Sequence, residues 1–227
     1  MPTALITGAS KGLGRALATD LAAAGWRLVL DARTAPVLLA AAARLGPHVT
    51  ALPGDVSDPR HRQRLAEAAG DRLDLLVLNA SALGPSPLPP LADLGPAQLR
   101  DLLETNVVAP HALTRLLLPA LRAAAGRVVA VSSDAAVAAY PGWGGYGASK
   151  AALDRLAAVL AVEEPSLLVY AVDPGDLRTD MHQAAFPGED ISDRPEPASV
   201  VPALRRLVDG DLPSGRHTAA DLLAIPA

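Results

Sequence analysis

Tyr146 and Lys150 are the two residues whose types and spacing most directly indicate chemistry. Because they stand four residues apart, a helix would carry them one turn apart on the same face. A lysine ammonium close to a phenol favours the phenolate, and so lowers a tyrosine pKa that is normally near 10. The pair is therefore predicted to be a general acid–base group working near neutral pH. A helix-surface pair without a role is the alternative.

Two further polar residues stand where they could join this pair. Ser133 precedes Tyr146 by 13 residues and follows the predicted strand Arg127–Val131. Open α/β sheets bind ligands at the carboxyl ends of their strands, which predicts that the Ser133 hydroxyl lies in a ligand site. Ser132 is the neighbouring candidate for this position. Asn106 lies in the long predicted helical stretch that precedes the strand.

A glycine-rich turn joins the first predicted strand to the first predicted helix, and it reads Thr7-Gly8-Ala9-Ser10-Lys11-Gly12-Leu13-Gly14. Glycines allow a tight turn, close approach of a pyrophosphate to the backbone, and close packing of helix on strand. The helix start supplies free N–H groups and a positive dipole end for phosphates. The predicted dinucleotide-binding residues of this turn are Gly8, Ser10, Lys11, Gly12, Leu13 and Gly14.

Apolar runs and helical patterns alternate along the chain and define the scaffold of these residues. Near-continuous apolar strands separated by helices indicate a parallel sheet covered on both faces, the doubly wound or Rossmann-type three-layer α/β/α architecture. The predicted strands are Ala4–Thr7, Arg27–Leu30, Val49–Leu52, Leu73–Leu78, Arg127–Val131 and Leu167–Val172. The predicted helical stretches are Gly12–Ala24, Ala35–Leu45, Pro59–Ala69, Pro96–Ala124 and Tyr146–Val162, with Pro110 and Pro119 expected to kink or break the fourth.

Taken together, these motifs resemble the short-chain dehydrogenase/reductase family, with its turn T-G-x-x-x-G-x-G and its Y-x-x-x-K pair. The resemblance implies a catalytic tetrad of Asn106, Ser133, Tyr146 and Lys150. In it, Tyr146 passes a proton to or from the substrate oxygen, and Ser133 hydrogen-bonds that oxygen. Lys150 binds the nicotinamide ribose, and Asn106 holds a water that links Lys150 to solvent.

The resemblance extends from about Thr3 to Met181 and adds further expected cofactor contacts: Asp55 and Val56 beside the adenine, Asn79 and Ala80 after the fourth strand, and Pro174, Gly175 and Thr179 after the sixth. Two departures are visible. Ser81 stands where the family usually has glycine, and the segment from Gly215 lacks the usual paired glycines, which leaves the terminal strand open. The chain is predicted to be one catalytic domain over residues 1–227, with a substrate loop at about 176–197.

The end of the second strand, Asp31-Ala32-Arg33, bears on which nicotinamide cofactor is bound. A carboxylate repels a 2′-phosphate, whereas an arginine attracts it. Aligned with the family, the acid that selects NAD would fall at Ala32, while Arg33 and Lys11 would face a phosphate, which favours NADP(H) over NAD(H). The competing interpretation is that Asp31 binds the ribose and selects NAD(H).

Composition narrows the class of protein. A net charge of −4 offers no broad basic field for nucleic acid, and the absence of cysteine excludes a thiolate metal site. The apolar runs are too short to cross a membrane, and no signal peptide is recognisable, so a cytoplasmic protein is expected. The five scattered histidines have no metal-ligand spacing, so no metal site is predicted, and they are interpreted as solvated or locally bonded.

The leading hypothesis is an enzyme that interconverts a carbonyl compound and an alcohol, assembled as a homodimer or homotetramer through the helices that carry Asn106 and Tyr146. The alternative is a non-catalytic NADP(H)-sensing regulatory protein. Trp143, His182 and Phe186 are interpreted either as lining a substrate pocket or as packing residues. No residue names the substrate.

Overall fold

The short apolar runs form one parallel sheet in the computed structural model, which describes residues 1–225. All six predicted strands are present, with bounds that shift by up to two residues. The sheet has seven strands in the order β3-β2-β1-β4-β5-β6-β7. They are β1 (Thr3–Ile6), β2 (Arg27–Ala32), β3 (Val49–Pro53), β4 (Leu75–Leu78), β5 (Arg127–Val131), β6 (Leu168–Asp173) and β7 (Gly215–Thr218).

Helices cover both faces of this sheet. They are α1 (Gly12–Ala23), α2 (Ala35–Ala42), α3 (Pro59–Ala69), α4 (Pro96–Leu103), α5 (Ala109–Ala124), α6 (Gly144–Glu163), α7 (Asp180–Ala185), α8 (Val201–Asp209) and α9 (Ala219–Ala224). Successive side chains of a strand point to opposite faces, so Leu28 and Leu30 pack on the α1, α8 and α9 layer while Val29 packs on the α3, α5 and α6 layer. The predicted three-layer Rossmann-type fold is confirmed.

The strand order places the candidate site residues at one edge of the sheet. β1 lies between β2 and β4, so the chain leaves β1 on one side and returns on the other. Where strand order reverses in this way, a crevice opens at the carboxyl ends of the strands, and ligands bind there in open α/β sheets. The glycine-rich turn follows β1 at this crevice, and Ser133 follows β5 along the same edge.

The stretch Pro96–Ala124, predicted as helical with a kink or break at Pro110 and Pro119, is built from three segments. α4 and α5 are joined by a π-helical segment, Glu104–Val108, which carries Asn106. Pro110 has no N–H, so the α-helical bond to the Asn106 carbonyl cannot form, and the π-helical turns lie next to this point. Pro119 does not break the helix, because α5 continues through it to Ala124, and the predicted kink there stays a prediction.

The C-terminal part contains a strand that the sequence left open. β7 pairs in parallel with β6, from Tyr170 opposite Gly215 to Asp173 opposite Thr218. The predicted substrate loop, 176–197, contains α7. The predicted single domain over 1–227 stays a prediction, and its last two residues lie outside the described residues. Within 1–225, no helix is both long and apolar enough to cross a membrane.

Candidate active site

One cavity of about 1360 Å³ lies along the carboxyl edge of the sheet. It is lined by every predicted site residue except Gly14 and Asn106: Gly8, Ser10, Lys11, Gly12, Leu13, Arg33, Asp55, Val56, Asn79, Ala80, Ser133, Tyr146, Lys150, Pro174, Gly175 and Thr179. The two exceptions lie just behind it and contact its lining residues, Gly14 beside Asn79 and Asn106 beside Ser81. The structure therefore brings together residues that span some 170 positions of sequence.

Asn79 holds the glycine-rich turn in shape. Its amide nitrogen donates to the carbonyls of Thr7 at 2.8 Å and Gly8 at 3.1 Å. A Cβ on Gly8 would lie 2.8 Å from that nitrogen, and a Cβ on Gly14 would lie 2.6 Å from it. Side chains are thereby excluded at both positions, and the Asn79 amide is committed to the turn rather than directed at a ligand.

The N-terminus of α1 has the features of a binding site for an anionic group. No side chain caps it, and no acidic residue lies in its first turn, so the positive end of the helix faces the cavity uncompensated. A Cβ on Gly12, whose φ is +56°, would meet only the Thr179 side chain, at 3.5 Å. These features fit the pyrophosphate of a dinucleotide, which the turn, Ser10 and Leu13 would border.

At the end of β2, Asp31 is engaged inside the protein. Its carboxylate accepts a hydrogen bond of 2.6 Å from His61 Nε2, and the two side chains are 2% and 0% exposed. Burial raises the pKa of Asp31, and the bond to His61 partly offsets that effect. For Asp31 to bind a ribose hydroxyl, this buried bond would have to break.

Arg33 and Lys11, the two cations predicted to face a phosphate, have different surroundings in the structure. Arg33 is exposed at the cavity, but the Lys11 ammonium pairs with Asp180 of α7 at 2.6 Å. Both partners of that pair are largely exposed, at 64% and 76%, so the pair is weak and can open toward an anion.

Tyr146 and Lys150 lie at the start of α6 and are both buried. The Lys150 ammonium donates to the Val131 carbonyl at 2.7 Å and lies 5.5 Å from the centre of the Tyr146 ring. Burial raises the pKa of Tyr146 to about 12, and a hydrogen bond with Ser81 acts in the opposite direction. The prediction that Lys150 makes this phenol acidic near neutral pH therefore fails for the protein alone, because desolvation dominates.

Burial also acts on the lysine. It lowers the pKa of Lys150 to about 8, while the negative charge of Asp154, one turn further along α6, opposes the decrease. A fully buried ammonium with a pKa near 8 exchanges its proton readily around neutral pH. Such a lysine can take part in proton transfer next to Tyr146.

Ser133 lies at the end of β5, as predicted, and its hydroxyl is hydrogen-bonded to its immediate neighbours in the chain. Its Oγ donates to Asp134 Oδ1 at 2.9 Å and accepts the Ala135 N–H at 3.2 Å. The hydroxyl can reach a substrate oxygen only after a rotation that exchanges the Asp134 bond for a substrate bond. Asp134 also raises the pKa of Tyr140 through a hydrogen bond.

Asn106 is buried and fully hydrogen-bonded through its side chain. Its amide nitrogen donates to the Ala82 carbonyl at 2.8 Å and to Ser149 Oγ at 2.9 Å. Its Oδ1 accepts from the Ala82 N–H at 2.7 Å and from Ser81 Oγ at 3.2 Å. No donor or acceptor of the Asn106 side chain is left for the predicted water. The group of Asn106 that could still hold this water is its main-chain carbonyl, which receives no α-helical hydrogen bond from Pro110.

A family model described as short chain dehydrogenase matches residues 2–190. The chain belongs to the short-chain dehydrogenase family. Among its relatives, the uncharacterized oxidoreductase YciK of Escherichia coli K12 is 33% identical, over 98% of this chain and 91% of that protein. Sepiapterin reductase of Mus musculus is 34% identical, over 97% and 90%. A short-chain dehydrogenase from Shigella flexneri 2a strain 301, solved in complex with NADP, superposes with a TM-score of 0.89 at 31% identity, covering 96% and 97%.

An apolar wall stands beside the tyrosine of this short-chain dehydrogenase. Trp143 packs edge-on against Tyr146, with ring centres 5.6 Å apart, and against Phe186 at 6.0 Å. Leu83 and Met181 belong to the same cluster. These side chains face the cavity, so a packing role and a role in lining it coexist.

Three contacts of this short-chain dehydrogenase could not be inferred from motif spacing. They are the Ser81 bond to Asn106, the His61 bond to Asp31, and an arginine of β7, Arg216, that reaches the Ser133 carbonyl at 2.9 Å. The interpretation of His61 as solvated or locally bonded is only partly right. Arg64, three residues away, contacts its Nδ1 at 2.9 Å, but the ring is buried and its other partner, Asp31, lies 30 residues earlier. The sequence signal that existed was Ser81 itself, a hydroxyl at a position where the family has glycine. Within 1–225, no group of three or more histidine, aspartate or glutamate side chains is arranged to hold a metal ion.

Proposed function

We propose that this oxidoreductase reduces a ketone or aldehyde with NADPH, or runs the reverse oxidation with NADP⁺. The observation that carries the proposal is the single cavity that joins the phosphate-binding turn to the buried Tyr146–Lys150 pair. When bound, the nicotinamide ring supplies or accepts the hydride. All other chemistry falls to the side chains described above.

Preference for NADP(H) rests on the charges at the end of β2. The Asp31 carboxylate is held by His61, Ala32 carries no charge, and Arg33 is exposed at the cavity. A 2′-phosphate would meet an arginine and no free acid from this strand. The relative from Shigella flexneri was solved with NADP, which agrees with this assignment. Thr179 and the Pro174-Gly175 turn would hold the nicotinamide end.

Proton transfer is assigned to Tyr146. With a pKa of about 12, its phenol is protonated at neutral pH and is ready to donate to the substrate oxygen during reduction. The Ser133 hydroxyl, released from Asp134, would donate a second hydrogen bond to that oxygen and stabilise its negative charge. Lys150 would bind the nicotinamide ribose and return the proton through its own titration. Asn106 fixes Ser81 and the loop at Ala82, and so supports this group from behind.

The apolar wall indicates the kind of substrate. Flat rings at Trp143 and Phe186 favour a carbonyl compound that carries an apolar or aromatic ring next to the reacting carbon. The segment 176–197, which contributes Met181 and Phe186, is proposed to cover that substrate. A panel of ring-bearing and short-chain ketones would test this, with a lower KM expected for the former.

We also propose a homodimer or homotetramer formed through α5 and α6. The outer faces of these helices leave several apolar side chains exposed: Leu116, Leu156, Val159 and Val162. Contiguous exposed apolar residues on helices typically mark interaction surfaces. Sedimentation velocity should give at least a dimer, and Leu156→Arg should shift it toward the monomer.

The test of the enzymatic proposal is NADPH oxidation, followed at 340 nm with the carbonyl panel, in the wild type and in Tyr146→Phe. Loss of the phenol is expected to reduce turnover by about a hundredfold or more while NADPH binding persists. The matched control is Tyr170→Phe, whose hydroxyl donates to the Leu212 carbonyl on the far side of β6 and should not affect turnover in folded protein.

Full activity of Tyr146→Phe would refute the assigned acid. Saturable NADPH binding without turnover of any carbonyl would instead favour the non-catalytic sensor. A calorimetric comparison of NADPH and NADH binding tests the assigned cofactor, and tighter binding of NADH would refute it.

A further inference from the structure

Arg216 of β7 contacts residues at the ends of β5 and β6 and in α6, the elements around the proposed catalytic group. Its guanidinium donates to the Ser133 carbonyl at the end of β5, at 2.9 Å. It pairs with Asp173 at the end of β6, at 3.4 Å, and with Asp154 of α6, at 3.1 Å. The Arg216 side chain is 28% exposed, and the two carboxylates are 11% and 15% exposed.

We propose that Arg216 is a positioning residue for the catalytic group, which ties Ser133, Asp173 and the helix of Tyr146 and Lys150 into one unit. The proposal rests on the function proposed above for those residues. Arginine suits this place because its planar fork offers several N–H donors in fixed directions and stays charged at all relevant pH values. A lysine offers the charge without the fork.

Asp154 depends on Arg216 for its side-chain hydrogen bonding. Its Oδ2 accepts from Arg216, whereas Oδ1 is buried and has no hydrogen-bond partner among residues 1–225. Without Arg216, this largely buried carboxylate would lose the one hydrogen bond recorded for it. An uncompensated buried charge destabilises its surroundings and acts strongly on neighbouring ionisable groups.

Arg216 also sets the charge balance behind Tyr146 and Lys150. Asp173 and Asp134 raise the pKa of Tyr146, and Asp154 raises that of Lys150. Arg216 neutralises the carboxylates from β6 and α6. Loss of its positive charge therefore raises the pKa of both catalytic groups, because phenolate becomes less favourable and ammonium more favourable next to unpaired carboxylates.

The decisive experiment exploits the presence of only two lysines, Lys11 and Lys150, in the chain. Lysine labelled with ¹³C gives one resonance for each, and Lys11 at the cavity mouth is the internal control. In Arg216→Met, the Lys150 titration is expected to move up by about half a pH unit or more from its wild-type midpoint. Arg216→Lys should largely restore it. This measurement needs neither cofactor nor substrate, so it is informative even if the proposed reaction is absent.

Kinetics separate positioning from folding. Arg216→Met should lower kcat about tenfold, move the alkaline limb of alcohol oxidation to higher pH, and leave NADPH binding unchanged. The control is Arg205→Met in α8, which loses pairs with Asp209 and Asp20, none of which lines the cavity. This variant should change neither the Lys150 titration nor the alkaline limb. If Arg216→Met does not fold, Arg216→Gln retains hydrogen-bond donors without the charge. A Lys150 titration identical in wild type and the neutral variants would overturn the proposal.

Discussion

The buried bond between His61 and Asp31 provides a test of how the cofactor pocket is supported. Arg64 donates to His61 Nδ1 at 2.9 Å, so Nδ1 accepts and the proton on Nε2 is given to Asp31 at 2.6 Å. The imidazole also occupies the space beside Gly54, where a Cβ would lie 2.3 Å from Nδ1. His61→Ala removes the ring and leaves the buried Asp31 carboxylate without this partner.

The magnitude follows from burial. Removing the side-chain donor that pairs with a buried carboxylate costs about 3–5 kcal/mol, because the remaining charge is left uncompensated. For a protein of this size each kcal/mol lowers Tm by about 2–4 °C, so His61→Ala is expected to lower Tm by about 10 °C at pH 7. His48→Ala is the matched control, since His48 is exposed, and it should change Tm by less than about 2 °C.

The pH dependence of the loss identifies its cause. Burial raises the pKa of the Asp31 carboxyl above its ordinary value of 3.8, and removing His61 raises it further. A carboxyl with a raised folded-state pKa favours the folded protein below the unfolded pKa, and this contribution is lost as pH rises through the folded pKa. The Tm difference between wild type and His61→Ala should therefore be small near pH 4 and grow toward pH 7.

The same variant should weaken NADPH binding. The Asp31 carbonyl accepts the Ala9 N–H at 2.8 Å, which ties the end of β2 to the glycine-rich turn. A double variant, Asp31→Leu with His61→Leu, replaces the pair with apolar groups and is expected to recover most of the stability and binding. Thermal unfolding from pH 4 to 8 and calorimetric titration with NADPH measure both effects. A loss below about 1 kcal/mol, or one independent of pH, would refute the reasoning.

Three further predictions concern the cavity. Arg33→Ser should weaken NADPH binding about tenfold and leave NADH binding unchanged in fluorescence titrations, whereas equal losses would contradict the assigned phosphate contact. Ser81→Ala removes a hydrogen bond that lowers the pKa of Tyr146, so the alkaline limb of the pH–rate profile for alcohol oxidation should move up by about one pH unit. An unchanged profile would show that this bond plays no part in the reaction. Gly14→Ala places a Cβ 2.6 Å from both Asn79 Nδ2 and the Gly8 carbonyl, so NADPH binding should be lost in calorimetry, and retained affinity would mean that the turn can relax.

Features encoded within a short stretch of sequence were predictable. The turn from Gly8 to Gly14 and the six strands depend on local conformational preference and on alternation of apolar residues, which adjacent residues reveal. β7 was left open because Gly215–Thr218 is polar and only partly buried, and it becomes a strand by pairing with β6. Pro119 does not break α5 because a helix packed along its length, as α5 is, tolerates one lost hydrogen bond.

Contacts between distant elements were not predictable, since they depend on how helices dock against the sheet. His61 meets Asp31 because α3 packs beneath β2, a relation that no spacing in the sequence records. Tyr146 shows the consequence for chemistry. Four-residue spacing places a cation near the phenol, but the balance between that charge and desolvation depends on burial by Trp143 and the rest of the apolar wall. A motif therefore identifies the acid–base group, whereas its pKa is set first by burial and then by residues such as Ser81 and Asp173 that the motif does not contain.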